Sequence, residues 1–192
     1  MVTEFSVISG KVVSQIIDHY PDQVFDTIRH AYLSHEAGAT ENPPSYFFKL
    51  PEKPNSRIIA LPAAIKGQQN IVGMKWIGSN PENVTQLFPR ASATITLNDY
   101  ESFYPYACLE GSIISAVRTA YSAVLAANEI KNNHRNIKML GIIGNGLIAR
   151  YVYRAFMAQG WHIERIQLFD KDSKSSQQLL SSMNPQKHDV KV

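Results

Sequence analysis

The sequence predicts an α/β chain of two domains: an α+β N-terminal domain over residues 1–132, then the opening of a doubly wound parallel sheet over residues 133–192. Three observations carry that reading. An apolar run, residues 137–143, ends on Gly144-Asn145-Gly146-Leu147-Ile148-Ala149. A helical pattern then extends to Gly160 and gives way to a second apolar run, 163–169, that ends on Asp170. Upstream, short strand-like segments fill residues 46–109, with helical patterns on either side of them.

Taken in order, residues 4–8 read as a short strand. Apolar residues recur at helical spacing over 12–17 and 24–33, and Pro21 suits the first position of the second helix, where no N–H is needed. The GATENPP stretch, 38–44, reads as a loop. Residues 46–50 and 57–61 read as strands joined by the turn-rich PEKPNS, and 71–77 and 93–97 as two more. Between these last two lies a polar loop, 78–90, of the kind that often carries function. Asn98-Asp99 starts a turn and 104–109 returns as a paired strand, giving about five strands in the domain. Ser112–Ile130 reads as one long helix with Ser112 as its N-cap, and the polar segment 132–136 marks the domain boundary.

Strand, glycine turn, helix, strand and acid stand in the order that a dinucleotide-binding Rossmann unit requires. Gly144 permits the tight turn, Gly146 the close approach of a pyrophosphate, and Ala149 is small enough for helix to pack on strand. The free N–H groups of the helix N-terminus, from Asn145 through Leu147 and Ile148, favour the phosphates. Asp170 lies somewhat further from Gly144 than the usual spacing of about 20, and is placed to accept ribose hydroxyls. Its charge repels a 2′-phosphate, so NAD is expected over NADP, with Lys171 partly offsetting that repulsion. A further helix is expected around 173–182 and a strand from 189. A sheet of this class has about five or six strands, so the chain is expected to stop in mid-fold and to lack turnover on its own.

Composition sets the outer limits. With 44% hydrophobic and 18% charged residues the chain matches ordinary globular proteins. Its 19 Lys and Arg are interspersed with 16 Asp and Glu, so no basic stripe points to nucleic acid. No apolar run approaches the roughly 18 residues of a membrane span. One cysteine, Cys108, excludes an intrachain disulfide and fits a reducing, cytoplasmic setting; it reads as a core residue. The six histidines are scattered, with no pair at metal-ligand spacing.

Several segments in sequence, RIIALPA (57–63), GMKWIGS (73–79), RASATITLND (90–99), LEGSIISAVRTAYSA (109–123) and GIIGNGLIA, resemble the ornithine cyclodeaminase/mu-crystallin family. They look most like its branch that makes 2,3-diaminopropionate by NAD-dependent oxidative cleavage of N-(2-amino-2-carboxyethyl)-L-glutamate. The resemblance implies a homodimer paired through the N-terminal domain and an amino-acid substrate with several carboxylates. It assigns the substrate carboxylates to Lys49, Lys75 and Arg118, and places Thr119 and the segment 90–92 near the nicotinamide. Lys49 stands where the family usually has arginine, which loses bidentate geometry. Lys75 lies inside an apolar strand, on one face with Gly73 and Ile77, so a cleft-facing ammonium is expected. Arg57 reads as structural, Tyr121 stands where a small residue is usual, and Glu110 reads as a helix N-terminal acid. The family's acid/base aspartate is expected beyond Val192, so no catalytic residue is assigned. Ornithine cyclisation, alanine or opine-type dehydrogenation, and ligand binding without turnover remain the alternatives.

Overall fold

The computed structural model describes residues 4–67, 70–183 and 189–192. The chain divides into two compact units, one of Met1–His19 with His30–Ser115, the other of Tyr20–Arg29 with Ala116–Val192.

The first unit is built on a seven-stranded sheet. Its strands are β1 (Ser6–Ile8), β2 (Thr40–Glu41), β3 (Tyr46–Phe48), β4 (Arg57–Ile65), β5 (Ile71–Ser79), β6 (Ala91–Asn98) and β7 (Pro105–Glu110). They lie in the order β1-β7-β6-β5-β4-β2, with β3 also paired to β4. β1 runs parallel to β7 and every other pairing is antiparallel. The expected count of about five is therefore corrected to seven. The strand not read from the sequence is β2, a two-residue edge piece within the stretch read as a loop, whereas β1 falls inside the short strand expected at 4–8. β4 and β5 are also longer than expected, and Pro62 sits within β4. It is tolerated there because β3 pairs with residues 58–60 and β2 with residues 64–65, and Pro62 falls in the gap, where no ladder N–H is required. Helix α1 (Gly10–His19) lies against β7, and α2 (Pro21–Glu36) follows with Pro21 as its first residue.

The expected polar loop contains a short 3₁₀ helix, Pro81–Gln86. Asn80 caps it by accepting the N–H of Glu82 at 3.0 Å, and Leu87 closes it in the left-handed region at φ 62°.

Helix α3 (Ser112–Ile130) spans the residues expected of it. Its N-terminus is held differently. The Glu110 carboxylate accepts the N–H groups of Ser112 and Ile113 at 2.7 and 3.0 Å, whereas the Ser112 hydroxyl accepts the N–H of Ala93. Glu110 is thus the cap and Ser112 a tie to β6, because a carboxylate can serve two N–H groups at once.

The second unit carries three parallel strands, β8 (Asn136–Ile143), β9 (His162–Phe169) and β10 (Asp189–Lys191), in the order β10-β9-β8. Helices α4 (Leu147–Ala158) and α5 (Ser173–Ser181) are the crossovers. This is the 3-2-1 order of one half of a doubly wound sheet. β9 supplies its centre, with Ile163, Ile166 and Leu168 all buried. Phe156 meets Trp161 edge-on at 5.0 Å between ring centres, and the indole N–H of Trp161 donates to Asn128 Oδ1 at 3.1 Å. That bond ties α3 to the start of β9, so the segment 132–136 lies inside this unit.

Candidate functional site

The glycine turn follows from three local constraints. Gly144 adopts φ +85°, where an L side chain is strained, and its N–H donates to the Phe169 carbonyl at 2.9 Å. Gly146 begins α4 with an ordinary φ of −78°, and a Cβ there would meet nothing within 4 Å. The fold itself therefore does not demand glycine at 146. Ala149, at 8% exposure, is packed inward as expected.

No side chain caps α4. Leu147 and Ile148 at its first turn are exposed, so the uncompensated N–H end of the helix dipole is open to an anion. Beside it, Ile143 and Phe169 are register partners at the C-terminal ends of β8 and β9, and both are exposed. Ligands of doubly wound sheets lie at these strand ends.

Asp170 ends the site. Its Oδ1 accepts the N–H of Asp172 at 2.9 Å and its Oδ2 the N–H of Asn145 at 2.6 Å. Those two backbone N–H groups, Asp172 first, hold its carboxyl below the usual carboxylate range, and the charge of Lys171 adds to them. An ionised carboxylate only accepts hydrogen bonds, and each oxygen keeps a lone pair for a hydroxyl donor such as a ribose. The Asn145 side chain is fully buried and donates from Nδ2 to Ser176 Oγ of α5 at 2.8 Å. Sequence reasoning missed Ser176; a contact spanning 31 residues leaves no local signal.

The cations sit as follows. Lys75 is half-buried at the middle of β5, flanked in register by Leu61 and Ile95, and its Nζ donates to Ser115 Oγ of α3 at 3.2 Å. Ser115 was also missed, although Ser112 and Ser115 fall one helical turn apart. Lys49 is exposed and lies just past β3, which ends at Phe48 rather than at residue 50; Pro51 is close behind. Arg118 is exposed and Thr119 half-buried on α3, in the part that belongs to the second unit. Arg90 is exposed before β6, and Ser92 alternates onto the face opposite Lys75. Among the described residues no helix is long and apolar enough to cross a membrane.

A mixed-sheet unit and a parallel unit with an open glycine turn and an acid at the second strand's end define a protein of the two-unit, Rossmann-bearing α/β class. The chain belongs to the ornithine cyclodeaminase/mu-crystallin family, whose sequence profile matches residues 11–192. It is 38% identical over 135 residues to N-((2S)-2-amino-2-carboxyethyl)-L-glutamate dehydrogenase of Staphylococcus aureus, covering 70% of this chain and 40% of that protein. Among solved structures it is similar to the Δ1-pyrroline-2-carboxylate reductase of Thermococcus litoralis in complex with NADH and L-proline. The TM-score is 0.84 at 23% identity, covering 96% of this chain and 56% of the other. An archaeal alanine dehydrogenase dimer with bound NAD also gives 0.84, at 21% identity, covering 99% and 56%. At such identities the structural likeness establishes the fold. The chain spans about half the length of the relatives it matches, or less.

Proposed function

We propose that this chain serves an NAD-dependent dehydrogenase that cleaves N-(2-amino-2-carboxyethyl)-L-glutamate to 2,3-diaminopropionate and 2-oxoglutarate, a step that supplies siderophore or antibiotic precursors. The observation that carries the reading is the 38% identity to an enzyme of that activity. The geometry supports it through the open N-terminus of α4 beside Asp170 and through the half-buried ammonium of Lys75.

Gly144, Asn145, Gly146, Leu147, Ile148 and Ala149 would hold the pyrophosphate through backbone N–H groups, and Asp170 the adenosine ribose. A bound nicotinamide supplies a hydride acceptor. Lys75, with Lys49 and Arg118, would fix the substrate carboxylates and so hold the glutamate Cα–H in line for transfer. Loss of that hydride and of the amine proton leaves a C=N bond. Water then adds across it and releases the amine and the 2-oxo acid, so one NAD is reduced per bond cleaved. Asp170 favours NAD over NADP by repelling a 2′-phosphate. The protein is proposed to act in the cytoplasm as a homodimer paired through the first unit.

The test is to incubate the protein in its full encoded length with NAD and this substrate, with ornithine and alanine as comparisons, and to follow NADH absorbance and 2-oxoglutarate release. Matching NADH and 2-oxoglutarate with the first substrate alone supports the reading. NADH from alanine, or proline and ammonia from ornithine, would replace it with a sister reaction. Tight NAD binding without any product would favour a ligand-binding protein.

A further inference from the structure

The start of α3 is clamped onto β6 by contacts that do not involve the Lys75 ammonium. The Gly111 N–H donates to the Ala93 carbonyl at 2.8 Å, and the Ala93 N–H donates back to Ser112 Oγ at 2.8 Å. A Cβ on Gly111 would stand 3.0 Å from Ile95 Cγ1 and 3.1 Å from the Thr94 carbonyl carbon, so glycine spares a tight contact with the strand. Glu110 holds the first helical turn through the N–H groups of Ser112 and Ile113. Ile95, beneath Gly111, is also the register partner of Lys75 on β5. The clamp that sets the helix on β6 therefore also sets its distance from Lys75. Ser115 comes one turn after Ser112, and its Oγ accepts from Lys75 Nζ at 3.2 Å.

What that bond supplies follows from the chemistry of lysine. An ammonium is a point charge with three rotatable donors on a flexible four-carbon stem, so its charge alone does not set its position. Lys75 stands beside the first turn of α3, the positive end of the helix dipole, which pushes a cation away. The Ser115 hydroxyl accepts one of its N–H groups and opposes that displacement.

We propose that Ser115 is a positioning residue whose hydroxyl fixes the Lys75 ammonium, so that the substrate carboxylate and the Cα–H beside it are presented in one orientation. The proposal rests on the substrate role given to Lys75 above. Ser115 acts on alignment more than on attraction. Without its hydroxyl the charge remains and still draws a carboxylate, but the geometry for hydride transfer is spread. Lys75→Met does the reverse and removes the attraction itself.

The test compares Ser115→Val with Ser115→Thr in the protein in its full encoded length. The two side chains share shape and β-branching and differ in the hydroxyl. Ser115→Val should lower kcat about tenfold and raise KM about threefold or less, with NAD affinity unchanged. Ser115→Thr should keep kcat within about threefold of the native value. Ser115→Ala should repeat the loss without a branched side chain on the helix. Order parameters of the Lys75 ε-methylene, measured with neither substrate nor cofactor, should fall in Ser115→Val and Ser115→Ala and hold in Ser115→Thr. Equal losses in the valine and threonine variants would assign the effect to packing and overturn the proposal. So would kcat and ε-methylene order unchanged in both hydroxyl-free variants, or a loss of NAD affinity in Ser115→Val. A native protein that does not oxidise the substrate would remove the reading beneath the proposal, and the positioning of the ammonium would then stand or fall on the order parameters.

Discussion

The Asp170 carboxylate accepts the backbone N–H of Asn145 at 2.6 Å, so the acid that closes β9 also fixes the glycine turn that follows β8. One side chain thereby sets both the ribose end and the phosphate end of the proposed cofactor site. Asp170→Asn keeps the shape but removes the charge and turns one oxygen into a donor. NAD affinity should fall about tenfold or more while the melting temperature changes little, and the preference over NADP should narrow. An unchanged NAD affinity would remove Asp170 from the site.

The same residue sets an acid limit. Its folded-state pKa is depressed by the Asp172 and Asn145 N–H groups, so its contribution is complete above the ordinary carboxylate value of about 4. That contribution is lost as pH falls through the lowered value. NAD binding measured down the acid range should weaken there in the native protein, and that part of the profile should flatten in Asp170→Asn. A profile identical in both proteins would assign the acid limit to another group.

Lys75→Met keeps the aliphatic stem and removes the ammonium that reaches Ser115. Substrate KM should rise about tenfold or more, or turnover vanish, with NAD affinity held. Loss of NAD affinity with an unchanged KM would put Lys75 in the wrong pocket.

Asn128→Leu buries the indole N–H of Trp161 without its acceptor, and should cost about 1–3 kcal/mol in denaturant unfolding. The double variant with Trp161→Phe should recover part of that loss, because no donor is then left unmet. If the double variant is less stable than Asn128→Leu, packing rather than the hydrogen bond dominates there.

Two glycines of β5 should respond oppositely to alanine. A Cβ on Gly73 would stand 2.4 Å from the Thr96 carbonyl oxygen, so Gly73→Ala should destabilise by about 1–3 kcal/mol. Gly78→Ala meets open space and should be neutral or stabilising by about 0.5–1 kcal/mol. Equal melts for the two variants would contradict the close contact at Gly73.

Trp76 lies on the same sheet face as Tyr46, Phe48 and Tyr106, and all four are exposed. Trp76→Glu should convert the proposed homodimer to monomer in sedimentation, with the fold retained. A wild-type protein that sediments as a monomer at all concentrations would exclude pairing through this face.

Much of this was legible in the residues because the signals were local. The run from 137 to Asp170 names its strands, its turn and its acid in order, and Ser112–Ile130 keeps one apolar periodicity from end to end. The misses were of another kind. β2 has two residues and no period to detect. The capping of α3 by Glu110 rather than Ser112 is a choice between two adjacent acceptors that only geometry decides. Helical spacing in α2 gave no hint that Tyr20–Arg29 packs with the second unit, since a periodic stripe says that a face is buried but not against what. Ser115 and Ser176 meet Lys75 and Asn145 from far along the chain, and no local window contains either pair together.

The uncapped start of α4 leaves a practical trap for anyone mapping the site by substitution. The anion donors proposed there belong to the main chain, so a conventional alanine scan through 145–149 leaves every one of them in place. Such a scan would report weak effects and tempt the reader to look elsewhere. Only changes that add bulk at Gly146, or that swap an amide for an ester along the backbone, interrogate the donors themselves. By the same logic, drift in the neighbouring side chains can alter the protein's surface extensively while the proposed phosphate donors of the main chain stay the same.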